Sequence, residues 1–172
     1  MNRRQSILFI TQAAIIASLY VVLTWLTSLV GLANGVIQVR LSEALAILPV
    51  FTPAALPGLA IGCLLSNLLT GCMPLDTLFG TLATAMGAFV CRLLCQKKNH
   101  NLTPLLYLLA TLPNILSNTL IIPFVLKWVY MVEDALPFLF LTVGIGEILA
   151  CGVLGGVLLC GLWEHKDRLF PR

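Results

Sequence analysis

Apolar residues run through this chain in long stretches that lack both the alternation of a half-buried strand and the one-sided stripe of a soluble helix. The breaks between the stretches therefore carry the structural information. The first run, 7–30, follows Asn2-Arg3-Arg4 and ends at Gly31 to Gly35. It is too long for the apolar core of a signal peptide and lacks a small-x-small cleavage site, so it predicts a spanning helix. Between Arg40 and Asp76 the apolar run contains Pro49, Pro53 and Pro57, and prolines this close divide a helix. The expectation is two short helices, 37–52 and 57–71. At 1.5 Å per residue each covers about 22 Å, against about 30 Å of bilayer hydrocarbon. Short or proline-interrupted spans are tolerated where their backbone is buried in protein or faces a cavity. Further spans are expected at 75–95, at 104–128 with Pro113 and Pro123 inside, and at 136–163.

Composition turns this pattern into a fold class. Of 172 residues 59% are hydrophobic and 10% are charged, whereas soluble domains carry about 25% charged residues. So few charges cannot cover a water-facing surface. An ordinary cytosolic enzyme, a disordered chain and a nucleic-acid binder are excluded together. The expectation is an all-α integral membrane protein, multi-pass in the cell membrane, in which 1–172 form a single membrane domain and a compact bundle of six transmembrane helices.

Charge adds orientation. Eight of the ten basic residues form three groups: Arg3 and Arg4; Arg92, Lys97 and Lys98; Lys166, Arg168 and Arg172. The positive-inside rule places each group in the cytoplasm, which requires even numbers of spans between them. Six spans satisfy this, with four before the middle group and two after it, and put both the N and C termini in the cytoplasm. Asp76, Glu133 and Asp134 then lie on the outer side.

Small residues mark packing seams. Thr77, Gly80, Thr84, Gly87 and Cys91 recur at helical spacing in the fourth span, and Gly152, Gly156 and Cys160 in the sixth. Such faces let helix backbones approach where no hydrophobic force drives association. Ala13-x-x-x-Ala17, flanked by Ala14 and Ser18, is a weaker feature of the same kind in the first span. The six cysteines form no CxxC pair and read as small packing residues. With His100 and His165 as the only histidines, no metal site and no resident cofactor is expected.

The remaining polar residues stand where lipid does not welcome them. A charge at the centre of a span costs about 2.5 to 3.5 kcal/mol on insertion scales, so each asks for a partner or a ligand. In Ile37-Gln38-Val39-Arg40-Leu41-Ser42-Glu43-Ala44-Leu45, a helix would put Arg40 and Glu43 on one face, as a structural ion pair or as a ligand-binding couple. Asn67, the pair Asn114 and Asn118 at four-residue spacing, and Glu147 add amides and a second acid. Gln38, Arg40, Glu43, Asn67, Asn114, Asn118 and Glu147 together could read a purine-like edge or a small amphoteric solute, with an acid for an ammonium or ring N–H. Trp128 and Tyr130 could stack on a flat ring, but fit an outer aromatic belt better. Neither GxxxxGK[ST], GxSxG nor HExxH occurs. The chain is therefore not expected to be an enzyme, and energised transport would need partners or an ion gradient.

The stretch from Asn34 through Gln38-Val39-Arg40-Leu41-Ser42-Glu43-Ala44-Leu45 to Pro49 resembles the QueT family of substrate-binding S components of energy-coupling factor transporters. The likeness continues through Pro57 to Cys63, Asn67-Leu68, Asp76 to Thr84, Leu112-Pro113-Asn114 and Gly146-Glu147. It implies an outward-facing pocket for a queuosine precursor, a 7-deazaguanine such as preQ1. It also implies a transmembrane coupling subunit and two ABC-type ATPases as partners, with Ala13 and Ala17 as the docking motif on the coupling subunit. Within the resemblance Glu43 and Glu147 are the acids for an ammonium and an N–H edge. Gln38, Asn67 and Asn114 are the amide readers, and Arg40 orients Glu43. An S component for another metabolite or vitamin, or a stand-alone membrane carrier, remains the alternative.

Overall fold

The computed structural model describes residues 3–31, 39–95 and 102–170. Every regular element among them is helical: α1 (Arg3–Leu29), a 3-10 helix (Leu41–Val50), α2 (Ala55–Leu69), α3 (Pro74–Cys95), α4 (Pro104–Trp128), α5 (Leu136–Glu147), a π-helical segment (Ile148–Leu154), α6 (Gly155–Trp163) and the short α7 (Lys166–Leu169). From α5 to α6 the helix is continuous, so the described residues form six main helical segments. Four are long and apolar enough to cross a membrane: Arg3–Leu29, Pro74–Cys95, Pro104–Trp128 and Leu136–Trp163. The other two, Leu41–Val50 and Ala55–Leu69, are the short passes expected from the prolines.

The first short pass departs from expectation. A regular helix over 37–52 is replaced by a 3-10 helix that begins after Arg40, whose own backbone is extended (φ −100°, ψ 108°). Its backbone closes three residues apart, Glu43 N on Arg40 O at 3.0 Å and Phe51 N on Leu48 O at 2.9 Å. At about 2.0 Å per residue, ten residues wound this way reach about 20 Å, where an α-helix would reach about 15 Å. The tighter winding lets a short segment cover more depth. Ser42, Glu43, Leu45, Ala46, Ile47, Leu48 and Pro49 are all buried in it, and it touches α1, α2, α3, α4, α6 and the π segment. The shortest pass is thus the centre of the bundle, shielded from lipid by the others.

Small residues set how closely the neighbours approach. A Cβ on Gly62 would come within 2.7 Å of Tyr20 Cβ and 3.1 Å of Ala17 Cα, and one on Gly58 within 2.9 Å of Ala13 O, so α1 and α2 pack backbone to backbone. The seam expected in the fourth span is present: Thr77, Gly80, Thr84, Gly87 and Cys91 are all buried. In the last pass Gly152 and Gly156 face inward as expected. Cys160 does not; Leu159 takes the buried place and Cys160 is exposed. Outside this interior lie exposed Ile7, Ile10, Leu19, Val22, Leu78, Leu82, Leu120 and Val157, a surface suited to lipid.

The two ends differ. At one, Thr52 Oγ1 donates to Gln12 Oε1 at 2.7 Å and Arg92 Nη1 to Pro49 O at 3.0 Å. There Phe51 stacks on Phe170 at 5.3 Å and tilts against Trp163 at 6.0 Å, with Lys166 Nζ 3.9 Å from the Trp163 ring centre. At the other end Leu41 N donates to Thr27 Oγ1 at 3.3 Å, and Tyr130 joins α3. The cavity described below lies at this second end, away from Arg92 and Lys166.

Gly62→Ala should therefore overpack the α1–α2 contact, costing about 1 to 3 kcal/mol and lowering the thermal unfolding midpoint in detergent. Gly161→Ala, with nothing within 4 Å of the added Cβ, should leave the midpoint unchanged. Equal midpoints for both variants would contradict the close packing.

Candidate functional site

Glu43 is 2% exposed in the middle of the bundle, and three side chains from two other helices converge on its carboxylate. Tyr20 of α1 donates its hydroxyl to Oε1. From α4, Asn114 Nδ2 donates to Oε2 at 2.7 Å and Asn118 Nδ2 to the same oxygen at 3.4 Å. The two asparagines are four residues apart and so point the same way, as their spacing predicts. Serving the charge has a local cost. With its amide nitrogen on Glu43, Asn114 leaves Oδ1 buried without a partner. Leaving a neutral carbonyl unpaired costs less than leaving a carboxylate unpaired.

Below and above Glu43 are two cavities. The inner one holds about 20 Å³ and is lined by Arg40, Glu43, Gly80, Thr84, Asn118, Ile122, Val143 and Glu147. The outer one holds about 310 Å³, the lower end of the range for small-molecule sites. Its polar lining includes Arg40, Asn67, Thr70, Asp76 and Tyr130, and Ile122 and Leu126 give it an apolar wall. Arg40 and Ile122 border both cavities.

Six of the seven residues singled out from the sequence meet around these spaces: Arg40, Glu43, Asn67, Asn114, Asn118 and Glu147. Gln38 lies outside the described residues. The pairing of Arg40 with Glu43 needs correction. Arg40 precedes the 3-10 helix in extended backbone, so the two side chains do not share a helix face. Tyr20 and the asparagines orient Glu43 instead, and Arg40 Nη1 donates to Asn67 Oδ1 at 3.4 Å.

Three contributors were not singled out from the sequence. Tyr20 was hidden in a uniformly apolar helix. Asp76 reads as an outer-side acid at the start of the fourth span, yet it is 4% exposed and lines the outer cavity. Tyr130 reads as a belt residue, but its hydroxyl donates to Asp76 Oδ2 at 2.8 Å and accepts from Met73 N at 3.2 Å. Burial, and the bond to the Asp76 carboxylate, push the Tyr130 phenol above its ordinary range, which keeps it a donor. Trp128 does keep the belt position: it is exposed and stacks on Phe124 at 5.0 Å, away from the cavity lining. Ala17 is buried against α2 and Ala13 is half-buried, whereas their neighbours Ala14 and Ser18 are exposed.

A family model described as QueT transporter matches residues 10–163, nearly the whole chain. No curated protein and no solved structure matches it.

Tyr20→Phe removes one donor from a buried carboxylate and leaves the remaining packing in place. The expected loss is about 1 to 2 kcal/mol, set by hydrogen bonds to charged groups and moderated by the membrane reference state. It should appear as a lower unfolding midpoint than that of the unmutated protein in the same detergent.

Proposed function

The chain belongs to the QueT transporter family, a multi-pass membrane transport protein of S-component type, and from that premise we propose that its paired cavities capture a cationic 7-deazaguanine such as preQ1. The observation that carries this reading is the charge balance. Among the described residues lining the two cavities, Asp76, Glu43 and Glu147 stand against a single guanidinium, Arg40. Buried carboxylates in such excess favour a ligand that brings positive charge. The outer cavity also offers Asn67 and Asp76, an amide and an acid suited to a ring edge rich in N–H groups, beside the apolar wall of Ile122 and Leu126. In this reading Arg40, Asn67, Asp76 and Tyr130 face the ring. Glu43, Asn114 and Asn118 hold the floor.

With the basic end in the cytoplasm, the cavity opens outward and both termini lie inside. Delivery then requires a coupling module, a transmembrane subunit with two ABC-type ATPases, since the chain has no nucleotide-binding loop of its own. In this reading the docking face is the α1 surface around Ala13 and Ala17, of which half-buried Ala13 and the exposed neighbours Ala14 and Ser18 are the accessible part.

A thermal-shift screen of detergent-purified protein against 7-deazaguanines and common vitamins tests the ligand class. The expected result is stabilisation by preQ1 and none by the vitamins; stabilisation by a vitamin alone would reassign the substrate. Glu43→Gln should weaken preQ1 binding at least tenfold, because the three donors around the carboxylate lose their anionic acceptor, and unchanged affinity would remove Glu43 from the site. Replacing Ala14 and Ser18 by Leu should spare ligand affinity while abolishing co-purification with the ATPases and uptake into cells. Intact uptake would place the docking surface elsewhere.

A further inference from the structure

The two buried acids of the inner cavity are not equivalent. Glu43 already accepts three hydrogen bonds, from Tyr20, Asn114 and Asn118. Glu147 is 9% exposed, and its Oε2 is buried with no hydrogen-bond partner. It sits at the end of α5, where the helix passes into the π segment, and it borders the inner cavity. π segments inside α-helices are frequently found at functional sites. An unpartnered carboxylate oxygen beside a water-sized space lacks only a donor.

Size and acceptor count indicate which donor. A volume of about 20 Å³ accommodates roughly one water-sized group, far too little for a ring. Its lining brings together two acids, Glu147 with its unpartnered Oε2 and Glu43, and the Thr84 hydroxyl, whose proton is directed to Cys63 Sγ at 3.6 Å, against one guanidinium, Arg40. A primary ammonium presents three N–H donors and one positive charge in about the volume of a water molecule.

The inner cavity adjoins the outer one, with Arg40 and Ile122 in both linings. Gly80 stands at the junction: a Cβ there would lie 3.2 Å from Asn67 Nδ2, 3.8 Å from Asp76 Oδ1 and 4.0 Å from Ile122 Cδ1. The missing side chain thus lets groups of the outer cavity stand close against a wall of the inner one. Among the described residues, Arg40, a shared wall, makes one long side-chain hydrogen bond, to Asn67 Oδ1 at 3.4 Å.

We propose that the inner cavity is an ammonium subsite, in which Glu147 receives a primary amine on a short arm while the planar ring that bears it stays in the outer cavity. This rests on the reading of the protein as a 7-deazaguanine binder and adds the orientation of the ligand and a division of labour between the acids: Glu43 organises the floor and Glu147 binds the cation. Specificity for the amine is then separable from affinity for the ring.

The test is a two-by-two comparison by calorimetry in detergent, with preQ1 and with 7-methyl-7-deazaguanine, on the unmutated protein and on Glu147→Gln. The unmutated protein should bind the amine-bearing ligand roughly 10- to 100-fold more tightly, the range for a hydrogen bond to a charged group. Glu147→Gln should erase that preference and leave affinity for the methyl compound within about twofold, which also shows that the variant is folded. Equal affinities on the unmutated protein, which need no variant, would overturn the subsite. So would a preference that survives in Glu147→Gln, or an equal loss of both ligands. Failure of both ligands to bind the unmutated protein would overturn the substrate reading itself, and the subsite with it.

Discussion

A carboxylate that cannot reach water governs the interior of this protein. Glu43 lies in the central short helix, and the cost of burying its carboxyl group is offset by the hydrogen-bond donors that surround it. Supplying them requires α1 to present Tyr20 and α4 to present Asn114 and Asn118 at the same depth. The register of three passes is therefore fixed by one side chain. The glycine contacts between α1 and α2 and the small-residue face of α3 serve the same end, because they bring the surrounding backbones close enough for short polar side chains to meet.

The site follows from the shortness of that central pass. Its 3-10 winding begins only after Arg40, and Arg40 itself lines the outer cavity, on the side away from Arg92 and Lys166. The walls of that cavity come from the ends of α1, α2 and α4 and the beginning of α3, where helices leave the tight packing of the core. Polar groups collect there because the backbone and side chains face a cavity and not lipid. The inner cavity, with Glu147 at a change of helical winding, extends the polar interior one group deeper.

How legible this was depends on the kind of signal each residue gives. Asn114, Asn118 and Glu147 stand out because polar residues are rare in apolar helices, and four-residue spacing already aligned the two asparagines. Prolines announced the two short passes. Arg40 and Glu43 were legible as important but not in their relation, because three-residue spacing implies a shared face only if both residues are helical, and Arg40 is extended. Tyr20 gave no signal, since a tyrosine in an apolar run reads equally well as packing. Asp76 and Tyr130 were assigned to the exterior by their place near helix ends; only the fold of α3 against the loop after α4 turns them toward one another. The Ala13 and Ala17 motif shows the same limit: spacing identified a small-residue face, and packing against Gly58 and Gly62 assigned it to the interior.

By itself the sequence determined the solvent, the helical class and the proline breaks around the two short helices, because these depend on local sums of hydrophobicity and on proline geometry, which act along the chain. It also nominated most of the polar residues of the interior, because the bilayer makes each of them costly. Only the tertiary structure decided which acid is saturated and which keeps an open valence, which of two adjacent helix faces is buried, and that Asp76 and Tyr130 belong to the cavity. Those outcomes depend on hydrogen bonds between residues as far apart as Tyr20 and Glu43, or Glu43 and Asn118, whose partners are chosen by the relative depth and rotation of whole helices. No spacing along a single helix encodes that choice.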